Sequence, residues 1–390
     1  MTVAKMAIAI GGWLITTIAG AQALSDIAAV SQLSTEQNSI FITTPGKEGL
    51  FIYTPDSTAK ADNVRIVRTS NNRTYIRHID GPINAGWWMD THAADNSKAL
   101  EAVLDFAPTG AEIVIPNGVY KFAQPVVLPI KKRLSIKSLG TLLFPNSDGL
   151  IVRGTHKLEL NVIEGKRWAA KPVYRNYAHA GLTLEDATES NIQVHRVSGF
   201  ANGIRLTGSG RQSNGRWYGS QYNRVTFDTL HQNRVGILLT TGKVSDTPGL
   251  DDGKEGWVNE NTITGGRITG EVGLASIRGK GQTDPFNNNK FYNLGFEQLT
   301  TSIDMQFAAF NMFMAPRFEQ KFPARFSERS RGNVFVVSLM FRDTIAATAG
   351  SETILLGNIL TPTGSLSAIG EASDFETKTL RPILKNVPSR

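Results

Sequence analysis

The chain of 390 residues contains no cysteine, which excludes disulfide bonds and cysteine-ligated metal sites. It has no serine nucleophile elbow, no phosphate-binding loop and no HExxH zinc motif. Beyond its first 23 residues, it has no apolar run long enough to cross a bilayer. Basic residues are scattered, which disfavours nucleic acid as a partner. With 41% hydrophobic and 19% charged residues, the composition indicates a folded protein, and we expect no cofactor or metal.

The N-terminus has the layout of a secretory signal peptide, predicted over residues 1–23. Lys5 precedes the apolar run MAIAIGGWLITTIAG, and small residues follow at Ala21 and Ala23, where cleavage is expected. This layout predicts a secreted or periplasmic protein, and a buried N-terminal helix is the alternative. The formal charge of +7 is compatible with an acidic polymer as partner or with a plain surface excess of lysine and arginine.

Six asparagines begin hydrophobic segments in the second half of the chain. The successive gaps between them are 32, 38, 28, 22 and 22 residues. A repeat in the low twenties, built of short alternating strands, predicts the coils of a β-solenoid, with loops inserted in the longer gaps. Asparagine tolerates a left-handed turn and can hydrogen-bond to its own copy one coil away. The six are Asn191, Asn223, Asn261, Asn289, Asn311 and Asn333.

Other patterns predict the parts that precede the solenoid. Alternating segments separated by turn residues indicate a small antiparallel β unit at about residues 39–80. The segment DNSKALEAVLDFA (95–107) has apolar residues at helical spacing, and Asp95 or Ser97 can cap its first turn. The predicted organisation is therefore a β head domain at 24–85, a solenoid at 86–345 and a C-terminal tail of further strands at 346–390.

The run DNSKALEAVLDFAPTGAEIVIPNGVYKFAQPVVLP resembles the opening of the pectate-lyase-like superfamily, in which a short helix precedes an I-P-x-G-x-Y strand. Here that strand carries Ile115, Pro116, Gly118 and Tyr120. The resemblance implies an all-β fold, a right-handed parallel β-helix with a small N-terminal β head domain and a capping helix. The superfamily includes secreted polysaccharide lyases, glycoside hydrolases and phage tailspike depolymerases, and homotrimers are common in it. The chain departs from the usual Asp-Gly-x-x-Asp-Asp run, where it has WWMDTHAADNS.

Counting eight residues on from each asparagine brings His231, Glu297 and Glu319 into one column. Neighbouring parallel strands lie about 4.8 Å apart, so in-register carboxylates would nearly touch and share a proton. Carboxyl groups about 5–5.5 Å apart are typical of retaining glycosidases. The alternative is a solvated polar ladder in which Arg317, Lys321 or Arg325 neutralises the glutamates.

A second group of acids lies in the loop SDTPGLDDGKEGW, which contains Asp251, Asp252 and Glu255. Together with Glu260 or Asp228, they could serve an inverting hydrolase, whose carboxyl groups are about 6.5–9.5 Å apart. A calcium site or a merely hydrophilic loop is the alternative.

A polysaccharide lyase would need a base and cations that neutralise a uronate carboxyl group. His231, Arg267, Arg317, Lys321 and Arg325 could supply them, although salt bridges to neighbouring acids are the simpler interpretation. Trp217, Tyr218 and Trp257 lie in the longest insertions, where flat aromatic rings either stack on sugars or cover the flank of the solenoid. The phenylalanines that recur at coil positions are instead expected to stack in the core: Phe291, Phe296, Phe313, Phe318 and Phe335.

The sequence therefore favours a secreted glycoside hydrolase acting on a bacterial exopolysaccharide. Glu297 and Glu319 are its predicted catalytic pair, helped by His231 and Arg317. The alternatives are a lyase on a uronate-containing polymer and a non-catalytic glycan-binding or export-associated β-helix. The expected partners are a polysaccharide or oligosaccharide and further copies of the chain in a homotrimer, without nucleic acid or membrane insertion after signal removal. The predicted substrate-binding residues are Trp217, Tyr218, Trp257, Arg267, Asp251, Asp252 and Lys321.

Overall fold

The structure is a computed structural model, and the chain divides after Trp88 into two compact units. It describes residues 21–166, 179–209, 212–213, 216–217, 219–241, 256–277, 285–318, 324–326, 330–337, 345–347, 353–361 and 364–372. Among these residues, no helix is both long and apolar enough to span a membrane. Most of the predicted signal peptide lies outside the described residues.

The first unit is the predicted β head domain. Its five-stranded sheet consists, in spatial order, of Gln22–Leu24, Ser39–Ile42, Gly49–Tyr53, Thr74–Arg77 and Ile66–Arg68, antiparallel except for the first pair. A 3₁₀ helix (Ala28–Gln32), the short strand Ile83–Asn84 and a second 3₁₀ helix (Ala85–Trp87) complete the unit. Inward residues of four strands, Ile40, Ile42, Phe51, Val67 and Tyr75, form the core together with Val30 of the first 3₁₀ helix.

The second unit opens with the predicted helix, Ser97–Phe106, whose buried face includes Leu100, Val103 and Leu104. Asn96 is the N-cap residue and makes no capping hydrogen bond with its side chain, whereas Asp95 binds the first turn from one residue earlier. The Oδ1 atom of Asp95 accepts hydrogen bonds from the Ser97 backbone N–H at 2.9 Å and from the Ala123 N–H at 2.9 Å. These bonds, the one from Ala123 first among them, lower the pKa of Asp95, because they favour the charged carboxylate.

After the helix, the chain winds through three stacks of parallel strands. The first stack contains ten strand segments within the described residues. Five of them are the first parts of longer strands, which are Ser135–Phe144, Lys157–Gly165, Asn191–Ser198, Arg224–Thr241 and Thr262–Ile277. The other five are Glu112–Ile115, Lys290–Tyr292, Met312–Met314, Asn333–Val337 and Thr353–Thr361. We call each level of this stack a rung and number the rungs in chain order. The second stack follows a bend and contains Val119–Lys121, the continuations of the long strands, Gly295–Phe296 and Arg317–Phe318.

The third stack contains Val126–Val127, Leu150–Gly154, Ala180–Ala187, Asn202–Gly208, the last parts of Arg224–Thr241 and Thr262–Ile277, then Thr301–Met305, Ala324–Phe326 and Ile345–Ala347. Short pairs join Gln212–Ser213 to Arg216–Trp217, Ser220–Gln221 to Val258–Asn259, and Phe286–Asn287 to Ala308–Ala309. Strand Gly364–Ala372 pairs antiparallel with Thr353–Thr361. This architecture is the predicted parallel β-helix, and parallel crossover connections of this kind are almost always right-handed.

Buried side chains at equivalent turn positions of successive rungs hydrogen-bond to the rung above and form a ladder. The Oδ1 atom of Asn261 accepts hydrogen bonds from the backbone N–H of Asn223 at 3.1 Å and from its Nδ2 at 2.9 Å. The same contacts continue downward through Asn289, Asn311 and Asn333. The predicted bond of each asparagine to its copy is therefore confirmed for these five residues.

Two details of the predicted ladder are wrong. Asn191 is exposed and pairs in register with Arg224, and the ladder position on its rung is taken by Ser190, whose N–H donates to Asn223. The left-handed residue is also not the ladder asparagine but the residue before it, as at Tyr222 (φ 57°) and Glu260 (φ 56°). The ladder side chain then lies inside the turn, where it satisfies buried backbone groups.

The predicted core phenylalanines stack inside the coil. Phe291 lies over Phe313 with ring centroids 4.9 Å apart, and Phe313 lies over Phe335 at 4.3 Å. Phe296 and Phe318 form a parallel column at 5.1 Å. All five rings are buried, because inward positions of in-register strands superpose at the strand spacing.

Candidate functional site

Four of the predicted site residues lie on the outer face of the second stack. The strand register places Thr229, Arg267, Gly295 and Arg317 in one outward column. A neighbouring column lies two residues further along each strand and contains, on successive rungs, His231, Thr269 and Glu297. Because successive rungs are about 4.8 Å apart, the described part of this face gathers two arginines, a glutamate and a histidine within four rungs.

Glu297 is held between two arginines, and we call the three residues Arg267, Glu297 and Arg317 the arginine clamp. Its Oε1 accepts from Nη2 of Arg317 at 2.5 Å, and its Oε2 forms an ion pair with Nε of Arg267. The glutamate is only 5% exposed, whereas the side chains of Arg267 and Arg317 are 48% and 58% exposed. The clamp therefore presents two outward guanidinium groups on a buried carboxylate.

Gly295 leaves room beside the clamp. It occupies the rung between Arg267 and Arg317, and a Cβ atom there would come within 3.1 Å of Nη2 of Arg317. Both arginines reach Glu297 on this rung, and a side chain at Gly295 would press on Arg317. The clamp is thus built from one side chain above, one below and a gap between them.

The geometry of Glu297 bears on the predicted catalytic pair. Both carboxylate oxygens of Glu297 are engaged by guanidinium groups. A carboxylate held in this way orients the arginines, whereas a glycosidase pair needs carboxyl groups that reach the sugar. Glu319, its predicted partner, lies outside the described residues.

His231 lies two rungs above Glu297 and is partly exposed. Its Nδ1 is 3.1 Å from Oγ1 of Thr269, which also accepts from the backbone N–H of Gln232. In the tautomer that donates Nδ1–H to Thr269, Nε2 is a proton acceptor. This histidine can therefore act as a base on the face that bears the clamp.

The other predicted binding residues are placed only in part. Trp257 lies beside the ladder turns, where its Nε1 donates to Oε1 of Gln221 at 2.9 Å. Trp217 belongs to a short strand whose side chains are not described. Tyr218, Asp251, Asp252 and Lys321 lie outside the described residues, so the predicted acidic loop stays a prediction.

A groove that the sequence did not predict lies at the bend between the first and second stacks. We call it the corner groove, and its main lining residues are Lys137, Glu159, Asn161, Gln193, His195 and Asp228. It has a volume of about 300 Å³. Each residue comes from one of four consecutive rungs, where the strands bend and their side chains diverge.

His195 and Asp228 form a pair on neighbouring rungs of the groove. Nδ1 of His195 lies 2.7 Å from Oδ2 of Asp228, and both side chains are about three-fifths exposed, at 60% and 62%. Glu159 lies on the rung above His195 and pairs with Nζ of Lys157 at 3.0 Å. The hydrogen bond and charge of Lys157 lower the pKa of Glu159, so this carboxylate is ionised at neutral pH.

The groove was missed because of the register error at Asn191. Counting from Asn191 and Asn223 places His195 beside Phe227, which is an inward residue. Counting from the true ladder positions, Ser190 and Asn223, places His195 beside Asp228, each five residues on. A shift of one residue exchanges the two faces of a strand, and so it hid this pair.

The chain was compared with known proteins. No known family profile and no curated protein matches it. Among solved structures, it is similar to the tailspike protein of Acinetobacter baumannii phage AM24, with 12% identity, a TM-score of 0.47 and coverage of 85% of this chain and 61% of that one. Tailspike protein 2 of an Escherichia coli bacteriophage matches with 12% identity, a TM-score of 0.39 and coverage of 88% and 48%.

A surface adhesin of Streptococcus pneumoniae, PfbA, also matches, with 10% identity, a TM-score of 0.29 and coverage of 76% of this chain and 96% of that one. The chain spans about half to three-fifths of the length of the two tailspikes. The fold class rests on the strand pairing of the chain itself.

Proposed function

We propose that this chain binds and cleaves an acidic polysaccharide on the outer face of the second stack, through the arginine clamp. The observation that supports this most directly is the pair of half-exposed arginine side chains ordered by buried Glu297. Arginine offers several N–H donors in a planar arrangement that matches a carboxylate, and these charge-assisted bonds are strong. The clamp has two positive charges and one negative charge, so it favours an anionic group on the sugar. A bacterial exopolysaccharide containing uronate units has this chemistry.

The geometry favours elimination over hydrolysis. In a lyase reaction, a base removes the proton next to the uronate carboxyl group, the neighbouring C–O bond breaks, and a C=C bond forms. The departing oxygen takes up a proton. The clamp would neutralise the carboxylate as charge develops on it, and Nε2 of His231 would accept the proton.

A glycoside hydrolase that uses Glu297 and Glu319 is the second candidate. It is supported by the register of Phe296 with Phe318, since each phenylalanine is followed by glutamate and glutamine in the sequence. It requires that Glu297 leave its arginine partners or that Glu319 act with a different acid. Secretion and a homotrimeric assembly remain predictions.

The first experiment incubates the protein with acidic and neutral bacterial polysaccharides and follows chain length and ultraviolet absorbance. We expect an acidic polymer to be shortened with formation of an unsaturated, absorbing product. The Arg267→Ala/Arg317→Ala double variant should lose at least about 100-fold in activity, because two charge-assisted contacts disappear. Arg224→Ala removes an exposed arginine of the first stack and is the matched control, which should retain activity.

Other outcomes decide between the candidates. Shortening without unsaturation, abolished by Glu297→Gln, would favour the hydrolase and contradict elimination. Tight binding of an acidic polymer without any shortening would contradict both enzymes and support a glycan-binding protein. For the lyase, Glu297→Gln should weaken binding by about 10-fold, because the arginines lose their orienting carboxylate, while Glu164→Gln, four rungs higher in the same column, should not.

A further inference from the structure

The corner groove differs from the arginine clamp in charge and in shape. Its lining contains two carboxylates, Glu159 and Asp228, against one lysine, Lys137, and a histidine. Glu159 is ionised, as shown above, and Asp228 faces His195. Glu159 is paired with Lys157, and Asp228 lies against His195, so the acidic and basic groups of the groove balance one another. Unlike the clamp, which has an excess of positive charge, a groove balanced in this way does not favour an anionic ligand.

The lining combines polar and apolar groups in the way that sugar rings require. Side-chain amides at Asn161 and Gln193 can donate and accept hydrogen bonds to hydroxyl groups, and the carboxylates can accept them. Leu139 lines the same groove and is 46% exposed, which offers an apolar surface to the C–H face of a ring. The volume of about 300 Å³ lies at the lower end of small-molecule sites.

The groove is also fixed in position. Asn161 donates from Nδ2 to the carbonyl oxygen of Leu139 at 2.9 Å, which ties the second and third rungs together at the bend. His195 and Asp228 tie the fourth to the fifth at 2.7 Å. Polar groups held by neighbouring rungs need little reordering when a ligand binds.

The clamp begins on the rung that follows the groove. Gly266 lies beside Asp228 on the next rung, and Arg267 is the next residue along the strand. The rung-four and rung-five groups of the groove therefore lie two to three rungs, or about 10–14 Å, above Glu297. A short oligosaccharide could occupy both places.

We propose that the corner groove is a binding subsite for an uncharged sugar unit, so that the chain recognises a heteropolysaccharide with neutral and acidic units. This inference rests on the proposed function for the nature of the polymer. It assigns His195 and Asp228 to ligand binding. The clamp binds the acidic unit, and the groove binds a neutral unit further along the same face.

Saturation-transfer difference NMR with free methyl glycosides tests the subsite without a polymer. The probes are the neutral methyl glycosides of glucose, galactose, mannose and N-acetylglucosamine, together with methyl glucuronide. At least one neutral glycoside should bind the wild-type protein, and His195→Ala/Asp228→Ala should weaken it by about 5–10-fold, because two hydrogen-bonding groups are lost. Both side chains are exposed, so the variant should fold, which circular dichroism will check.

The Arg267→Ala/Arg317→Ala variant is the matched control. It should bind the neutral glycoside as the wild type does and lose the glucuronide, while the groove variant should keep the glucuronide. Three results would overturn the subsite: no neutral glycoside binds, its binding is unchanged in the groove variant, or the groove variant alone loses the glucuronide. Because the clamp is tested separately with the glucuronide, failure of the subsite leaves the proposed function standing, and the reverse is also true.

Discussion

The upper rungs of the β-helix (one to six) and the lower rungs (seven onward) are aligned in one strand register, but their inward side chains differ. In one inward column of the first stack, Ile113, Ile136, Leu158, Ile192, Val225 and Ile263 are followed by Phe291, Phe313 and Phe335. An inward column of the second stack changes in the same way, from Leu230 and Ile268 to Phe296 and Phe318. Both columns switch from aliphatic to aromatic side chains at the seventh rung.

The ladder turn changes along the chain as well. Its position is occupied first by His156 and then by Ser190, and below them by asparagine on five successive rungs. Each of these side chains accepts a hydrogen bond from the backbone of the rung above. The backbone thus requires an acceptor at this place but does not require a particular residue.

The outer surfaces differ most, since the upper rungs bear the corner groove and the lower rungs bear most of the arginine clamp. Outward side chains of a strand do not take part in the core, so they can vary from rung to rung without disturbing the coil. A solenoid can in this way carry sites for an uncharged and for an anionic ligand on different rungs.

The largest effect is expected from the aromatic core of the lower rungs. Phe313→Ala should lower the free energy of unfolding by about 3–5 kcal/mol, because Phe313 is buried between Phe291 and Phe335. In the aliphatic half, Ile192→Ala should cost about 2–4 kcal/mol, since fewer atoms are removed. Chemical denaturation of both variants measures the difference.

Phe310→Ala is the control for burial, because Phe310 is 54% exposed. It should change the free energy of unfolding by less than about 1 kcal/mol. If Ile192→Ala destabilised the protein more than Phe313→Ala, the aromatic stacks would not be what distinguishes the lower rungs.

A smaller loss is expected from the ladder. Asn289→Ala removes the acceptor of the Asn261 N–H and the donor to the Val258 carbonyl oxygen, both buried. Two unsatisfied backbone groups should cost about 2–4 kcal/mol. Asn191→Ala should have almost no effect, because Asn191 is exposed and outside the ladder. Equal losses in the two variants, measured by thermal unfolding, would contradict the ladder register.

The lower rungs were the more predictable half. Their 22-residue spacing is free of insertions, so Asn289, Asn311 and Asn333 and the phenylalanines between them could be aligned by counting. The helix at Ser97–Phe106 and the alternation of the head domain were equally visible, because both depend on local periodicity.

The candidate sites were less predictable. The ladder at Ser190 was hidden because serine replaces asparagine beside an exposed Asn191, and this error concealed the pair of His195 and Asp228. The column of His231 and Glu297 was found by counting. The capture of Glu297 by two arginines was not, since it depends on how side chains from three neighbouring rungs are oriented.

The smallest effect expected is a pH dependence confined to the upper ladder. His156 is buried, and burial lowers its pKa. Its Nδ1 accepts from the Leu134 N–H at 3.3 Å, and its Nε2 lies 2.8 Å from the Arg153 carbonyl oxygen, an arrangement that requires the neutral ring. A proton on Nδ1 would face the Leu134 N–H.

Because the pKa of His156 is lower in the folded state, the unfolded chain takes up a proton first as the pH falls. Stability should therefore be complete above the ordinary histidine pKa of about 6.5 and decline by at most about 1.4 kcal/mol per pH unit down to the folded pKa. Unfolding midpoints measured from pH 7.5 to 5 would show this decline. His156→Asn places the residue of the lower ladder at this position and should flatten it, whereas His92→Asn, at an exposed position, should leave it unchanged. If the decline in stability persisted in His156→Asn, the pH dependence would belong to another group. The upper and lower parts of the ladder would then not differ in their response to pH.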